Sequence, residues 1–252
     1  MEAVDLMREG LFEAGEARAR AVIAAREGIR GRDRRPFTVW SGRYYAIAAA
    51  IAHGRGPTVL AELDTLIGEL GQLSGAEREF LLNARVNRAW LLIDDGRPIE
   101  AEAEARSILR ALTRIEHLCD VRHLELRALH LLGDALCVHD QHDEAERIAR
   151  WHLPRADGQM ASALNRLLIR SLSGQGRHEE ALAESRKPFH EPLPWAAGEL
   201  ELVTAAALHG LGRHEEAKEE LLRALAACER HLHPEHLRIG EIHALRALIA
   251  AA

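Results

Sequence analysis

The hexamer Gly212-Arg-His-Glu-Glu-Ala217 is repeated letter for letter at Gly176-Arg-His-Glu-Glu-Ala181. Self-similarity at a fixed period commits a chain to an array of stacked units, because each unit leaves an apolar side for its neighbour to cover. Looser copies align on turn residues Gly10, Gly54, Gly96 and Asp140, giving steps of 44, 42, 44, 36 and 36 residues. Five places after each turn stand Gly15, Val59, Ala101, Ala145, Ala181 and Ala217, all small except Val59. Taking Gly56 as the second turn places Ala61 there instead. The spacing has a direct physical reading. A helix ends on a glycine that accepts the left-handed conformation, and the next opens on acids that favour its positive end. A small residue one turn in lets the two helices approach closely.

The segments between turns carry the helical period. Leu82, Val86, Ala89 and Ile93 recur at one face before Gly96, and Ala105, Ile108, Leu109, Leu112 and Ile115 after it. No alternating run suggests a strand. The pattern predicts an all-α chain of about six antiparallel helix pairs, with units near 1–30, 37–73, 76–117, 119–153, 157–190 and 196–232. A last helix over 235–251 begins at Pro234, since proline is favoured in a first turn. Prolines 36, 57, 98, 154 and 188 punctuate the helices, and Lys187–Trp195 reads as a stiff linker.

These residues resemble the tetratricopeptide repeat family in its long-helix bacterial variety. Ala205 and Leu208 before the last turn, with Ala217, Leu221 and Ala224 after it, match the family pattern; so do Leu132, Gly133, Leu136 and Ala145 around Asp140. Ile47, Ile169 and Pro188 depart from it. The resemblance implies one domain over 1–252, a right-handed superhelical solenoid whose leading helices line a concave groove.

Counting back from each turn, the groove candidates are Ser41, Tyr44, Tyr45 and Ala48, then Val86, Asn87, Trp90 and Ile93, then Arg127, His130, Leu131 and Asp134. Arg166, Leu167 and Arg170 follow, and then Glu199, Leu202 and His209. The residues taken as a partner- or peptide-binding set are Tyr44, Tyr45, Asn87, Trp90, Arg127, His130, Asp134, Arg166, Arg170 and His209. Aromatic anchors beside charge are what peptide recognition uses. Arg166 and Arg170, one turn apart, suit a carboxylate or phosphate. Each also has an ordinary reading, as inter-repeat core for the aromatics and as paired surface charge for the arginines. The family resemblance gives Asn87 the role of holding a ligand backbone. A two-carboxylate clamp is not expected, because Val86 and Trp90 stand where its first pair belongs.

Net charge is −6 and the basic residues form no long run, which argues against nucleic acid as the main partner. Cys119, Cys137 and Cys228 suit reduced thiols in a cytoplasm. The N-terminus lacks the pattern of a signal peptide and no stretch has the length of a membrane span. No phosphate loop or nucleophile elbow occurs, and Cys137 and His139 face different sides of a helix. The histidines near His139/His142 and at His231, His233 and His236 read as surface or capping groups rather than metal ligands. The expectation is a non-catalytic bacterial scaffold without cofactor or metal that binds a protein or peptide, with a homodimer allowed by its exposed terminal helix. The competing readings are a sensor of a small molecule or signal peptide acting through a partner chain, and a metal enzyme using His231–His236.

Overall fold

The computed structural model describes residues 2–27, 36–72, 78–116, 120–188, 190 and 192–251. Cys119, residues 73–75, Phe189 and Glu191 of the linker, and the expected unit limits at 1, 30, 73, 76, 117 and 119 lie outside the described residues. The helices in chain order are α1 (Glu2–Arg8), α2 (Phe12–Glu27), α3 (Pro36–His53), α4 (Gly56–Leu70), α5 (Arg78–Asp94), α6 (Pro98–Leu112) and α7 (Arg122–Val138). They continue as α8 (His142–His152), α9 (Gly158–Gly174), α10 (His178–Ser185), α11 (Glu199–Gly210), α12 (His214–His231) and α13 (Leu237–Ala251). No strand occurs among the described residues. The last helix opens at Leu237 rather than at Pro234 because His233–His236 closes a turn first, with the His236 N–H donating to the His233 carbonyl at 2.9 Å.

The turn residues behave as the repeat requires. Gly10, Gly54, Gly96, Asp140, Gly176 and Gly212 all have positive φ, and Asp140 is the one non-glycine among the described residues that does. The residue after each turn donates back five places along the chain. Examples are Arg97 to Leu92 at 2.8 Å, Arg177 to Leu172 at 2.9 Å and Arg213 to Leu208 at 3.0 Å. The turn residue itself bonds the carbonyl three before it, as in Gly96 to Ile93 at 3.0 Å. These paired bonds are the Schellman closure of a helix end. Gly54 is thus the second turn; Gly56 opens α4, and Val59 is buried in the small-residue place.

The other letters of the hexamer, the first glutamate apart, each make a contact of their own. The arginine spans to the second glutamate, Arg177 to Glu180 and Arg213 to Glu216, both at 2.7 Å. The alanine is fully buried at 101, 145, 181 and 217. The histidine faces the next unit, so that a Cβ added at Gly174 would lie 2.3 Å from the His142 ring, and one at Gly210 2.3 Å from the His178 ring. Gly174→Ala is therefore expected to lower the urea midpoint by the equivalent of about 1–2 kcal/mol, and His142→Ala in the same chain should recover part of it.

Each helix packs on the next, and a second set of contacts joins α1 to α3, α3 to α5, α5 to α7, α7 to α9, α9 to α11 and α11 to α13. The odd-numbered helices therefore stand side by side as a continuous row, with the even-numbered helices packed between successive members. The row's middle is the most buried part of the chain: Leu131, Leu136, Leu164 and Ile169 are all at 0% exposure. The two ends of the chain also touch. The His233 N–H donates to the His53 carbonyl at 3.0 Å, and Phe12 belongs to the same core cluster as Leu232, Ile239 and Ile242.

Candidate functional site

The row of odd helices carries all the residues taken as a binding set, but they fall into two kinds. Val86, Leu131 and Leu167, counted toward the groove by spacing, are core instead, each at no more than 1% exposure. All three belong to one buried cluster, and Leu167 of α9 stands against α7, where a Cβ added at Gly133 would lie 2.2 Å from it. Tyr44 is half-buried, with its ring 5.3 Å from Tyr45 and 5.9 Å from Phe80. Burial, with Tyr44 and Glu79 nearby, holds the Tyr45 hydroxyl above its usual pKa. Asn87 is buried and accepts from Arg127 at 2.9 Å, and Arg127 also donates to the side-chain amide oxygen of Asn83. Its amide oxygen is thus already engaged within the chain. His209 meets His214 across the last elbow, their Nδ1 atoms 3.3 Å apart.

Trp90, His130, Asp134, Arg166 and Arg170 come together on α5, α7 and α9. The Trp90 and His130 rings are 5.3 Å apart. Asp134 lies between His130 (3.3 Å) and Arg170 (2.9 Å). Asp134 is foremost in raising the Arg170 pKa, whereas burial is the main cause that lowers that of His130, so the imidazole stays neutral at ordinary pH. Arg166, 9% exposed, sits 2.7 Å from Glu199 at the start of α11. Neither arginine is an unpaired hook; each already faces an acid of its own chain.

Two members of this constellation were not singled out from the sequence. Glu199 holds a groove position by spacing, and Arg238 has no repeat position to mark it. Arg238, from α13, donates to Glu199 and to the main-chain carbonyls of Trp195 at 3.1 Å and Ala197 at 2.8 Å. Burial would raise the Glu199 carboxyl, but Arg238, Arg166, His130 and Arg170 outweigh it and hold the pKa at about 2. Beside them Asp94 keeps contact with solvent while protein surrounds it. That setting, with the like charge of Glu241, lifts its carboxyl to about 6.

The constellation is a set of ion pairs and ring contacts. Cys137 is buried, its thiol pushed up to about 12, and His139 lies 3.1 Å from Glu102. Among the described residues no group of three or more His, Cys, Asp or Glu is placed to hold a metal ion. The histidines of the last connector act as caps: the His233 Nδ1 accepts from the Glu235 N–H at 3.2 Å and the His236 Nδ1 from the Arg238 N–H at 3.1 Å. A cavity of about 310 Å³ is lined by Leu182 of α10, Leu200 and Leu208 of α11, and Glu216 and Glu220 of α12.

No protein-family model matches the chain, and comparisons with curated proteins and with solved structures give no match either.

Proposed function

We propose that the chain is a tetratricopeptide-like scaffold, a right-handed solenoid of about six helix pairs with α13 as its cap, that binds a peptide or protein segment along the odd-numbered helices. The observation that carries this reading is the continuous row of those helices, with Tyr44, Tyr45, Trp90, His130 and Arg170 distributed along it. A row of this kind repeats one binding geometry at each step, which suits an extended partner better than a compact substrate. The net charge of −6 favours a protein partner over nucleic acid. No described helix is long and apolar enough to cross a membrane; a role in a regulatory or biosynthetic assembly of a bacterial cytoplasm belongs to the same proposal.

Arg170 is the accessible charge, with 37% of its side chain exposed, whereas Arg166 is walled in. A ligand carboxylate would approach Arg170 and share it with Asp134. The test is a displayed random-peptide library selected on the wild-type chain. Trp90→Ala and Arg170→Gln should each weaken the selected peptides about tenfold or more, equivalent to ~1.4 kcal/mol, with the helical circular dichroism intact. Selected peptides indifferent to both changes would remove the row as the binding face.

A further inference from the structure

The elbow glycines divide into two sorts. At Gly96, Gly176 and Gly212 an added Cβ would meet nothing within 4 Å. At Gly10 it would lie 2.8 Å from the His231 Nδ1, and at Gly54 2.9 Å from the His236 ring. Thus the first elbow is covered by His231, the last residue of α12, and the second by His236 of the connector that follows. Between them His53, the last residue of α3, has its ring 5.4 Å from that of His233 and 5.9 Å from Phe12, and its carbonyl takes the His233 N–H. The chain's two ends are therefore joined through four imidazoles, one main-chain hydrogen bond and the Phe12 contact. We infer that the segment His231–His236 is a clasp that closes the two ends of the chain while the His53 and His236 imidazoles are neutral and releases them when these two take up protons.

The surroundings favour neutrality. Facing His53 are Arg55, His233, Glu13 and Glu16. Of these Glu16 is committed to Arg55 and Arg20, so it does little to welcome a second cation. Facing His236 are Arg238, His53, His233 and Glu199, the last held by Arg238 and Arg166. Burial first, then Arg55, lowers the His53 pKa; burial, then Arg238, brings His236 down to about 4. A group whose pKa is lower folded than unfolded stabilises the closed form above the ordinary value of 6.5 and loses that contribution as pH falls toward its folded value. Asp94 and Glu241 work the other way, since protonating Asp94 relieves their repulsion. The imidazoles must therefore outweigh one carboxyl pair.

Solution scattering from the full chain, scanned from about pH 7.5 to about pH 4, reads the outcome. The radius of gyration should rise while helical circular dichroism persists. In a His53→Gln, His233→Gln, His236→Gln variant the rise should be absent or shifted by about one pH unit or more. An unchanged radius down to the pH where helix is lost overturns the clasp, as does an expansion of the variant at the wild-type pH. Should the variant not fold, the ring-proton resonances of wild-type His53 and His236 decide. They must titrate over the pH range of the expansion, and titration well apart from it contradicts the proposal.

Discussion

Glu199→Ala should lower stability by about 3–5 kcal/mol, read from urea denaturation followed by circular dichroism. Glu199 is the one acid shared by Arg166 and Arg238, which join α9 and α13 through the first residue of α11. Removing it leaves the 9%-exposed Arg166 charged and without that partner. Arg238 retains the Trp195 and Ala197 carbonyls, so the larger share of the loss falls at Arg166. The pH dependence has a definite sign. The Glu199 carboxyl drops from its ordinary 4.5 to about 2 on folding. Its contribution is therefore complete above the unfolded value, shrinks as pH falls below about 4.5, and is gone below about 2. The wild-type advantage over Glu199→Gln should narrow across that window and nowhere above it.

Gly198→Ala is expected to cost about 3 kcal/mol, for two reasons that add. Gly198 has φ +78°, a region that costs an L-residue about 1–2 kcal/mol. Its added Cβ would also lie 2.7 Å from the Ala224 carbonyl oxygen and 2.6 Å from the Cys228 Sγ, and the first is main chain inside α12 that cannot swing away. Gly133→Ala is the instructive contrast. Its Cβ would meet the end of the Leu167 side chain at 2.2 Å, an even shorter approach, but that side chain can change rotamer. The denaturation midpoint should fall further for Gly198→Ala than for Gly133→Ala, because the backbone at 133 is ordinary helix, and despite the tighter contact there. The reverse order would mean that side-chain crowding, not backbone, limits this fold.

What was legible in the sequence was what is local. The Schellman closure at each elbow, the Arg–Glu span three residues later and the buried alanine all lie within one hexamer, so spacing alone exposes them. The alternation of helices follows from the same ruler. Spacing was a coarser guide to the groove: it located the helices that form the row but sent Val86, Leu131 and Leu167 to a surface that they do not reach. A step of three or four residues cannot say how far a helix is rotated about its own axis, and the close approach at Gly133 turns α7 and α9 into each other. The pairing of Arg238 with Glu199 and the meeting of His53 with His233 left no local trace. They join residues far apart in sequence, and α13 has no elbow of its own to number from. The chemical signals were present as a proline-histidine connector and a lone arginine, types too ordinary to mark a seam by themselves.

The central claim is that the stacked units bring the two ends of the chain into contact through the connector after α12. Spin labels at the exposed positions Glu9 and Arg230, with Cys119, Cys137 and Cys228 replaced by alanine, test it most directly. Because Gly10 touches His231, the labels should give a single short and narrow distance distribution at neutral pH. A broad distribution, or one displaced outward by several helix diameters as in an open stack, would contradict the account.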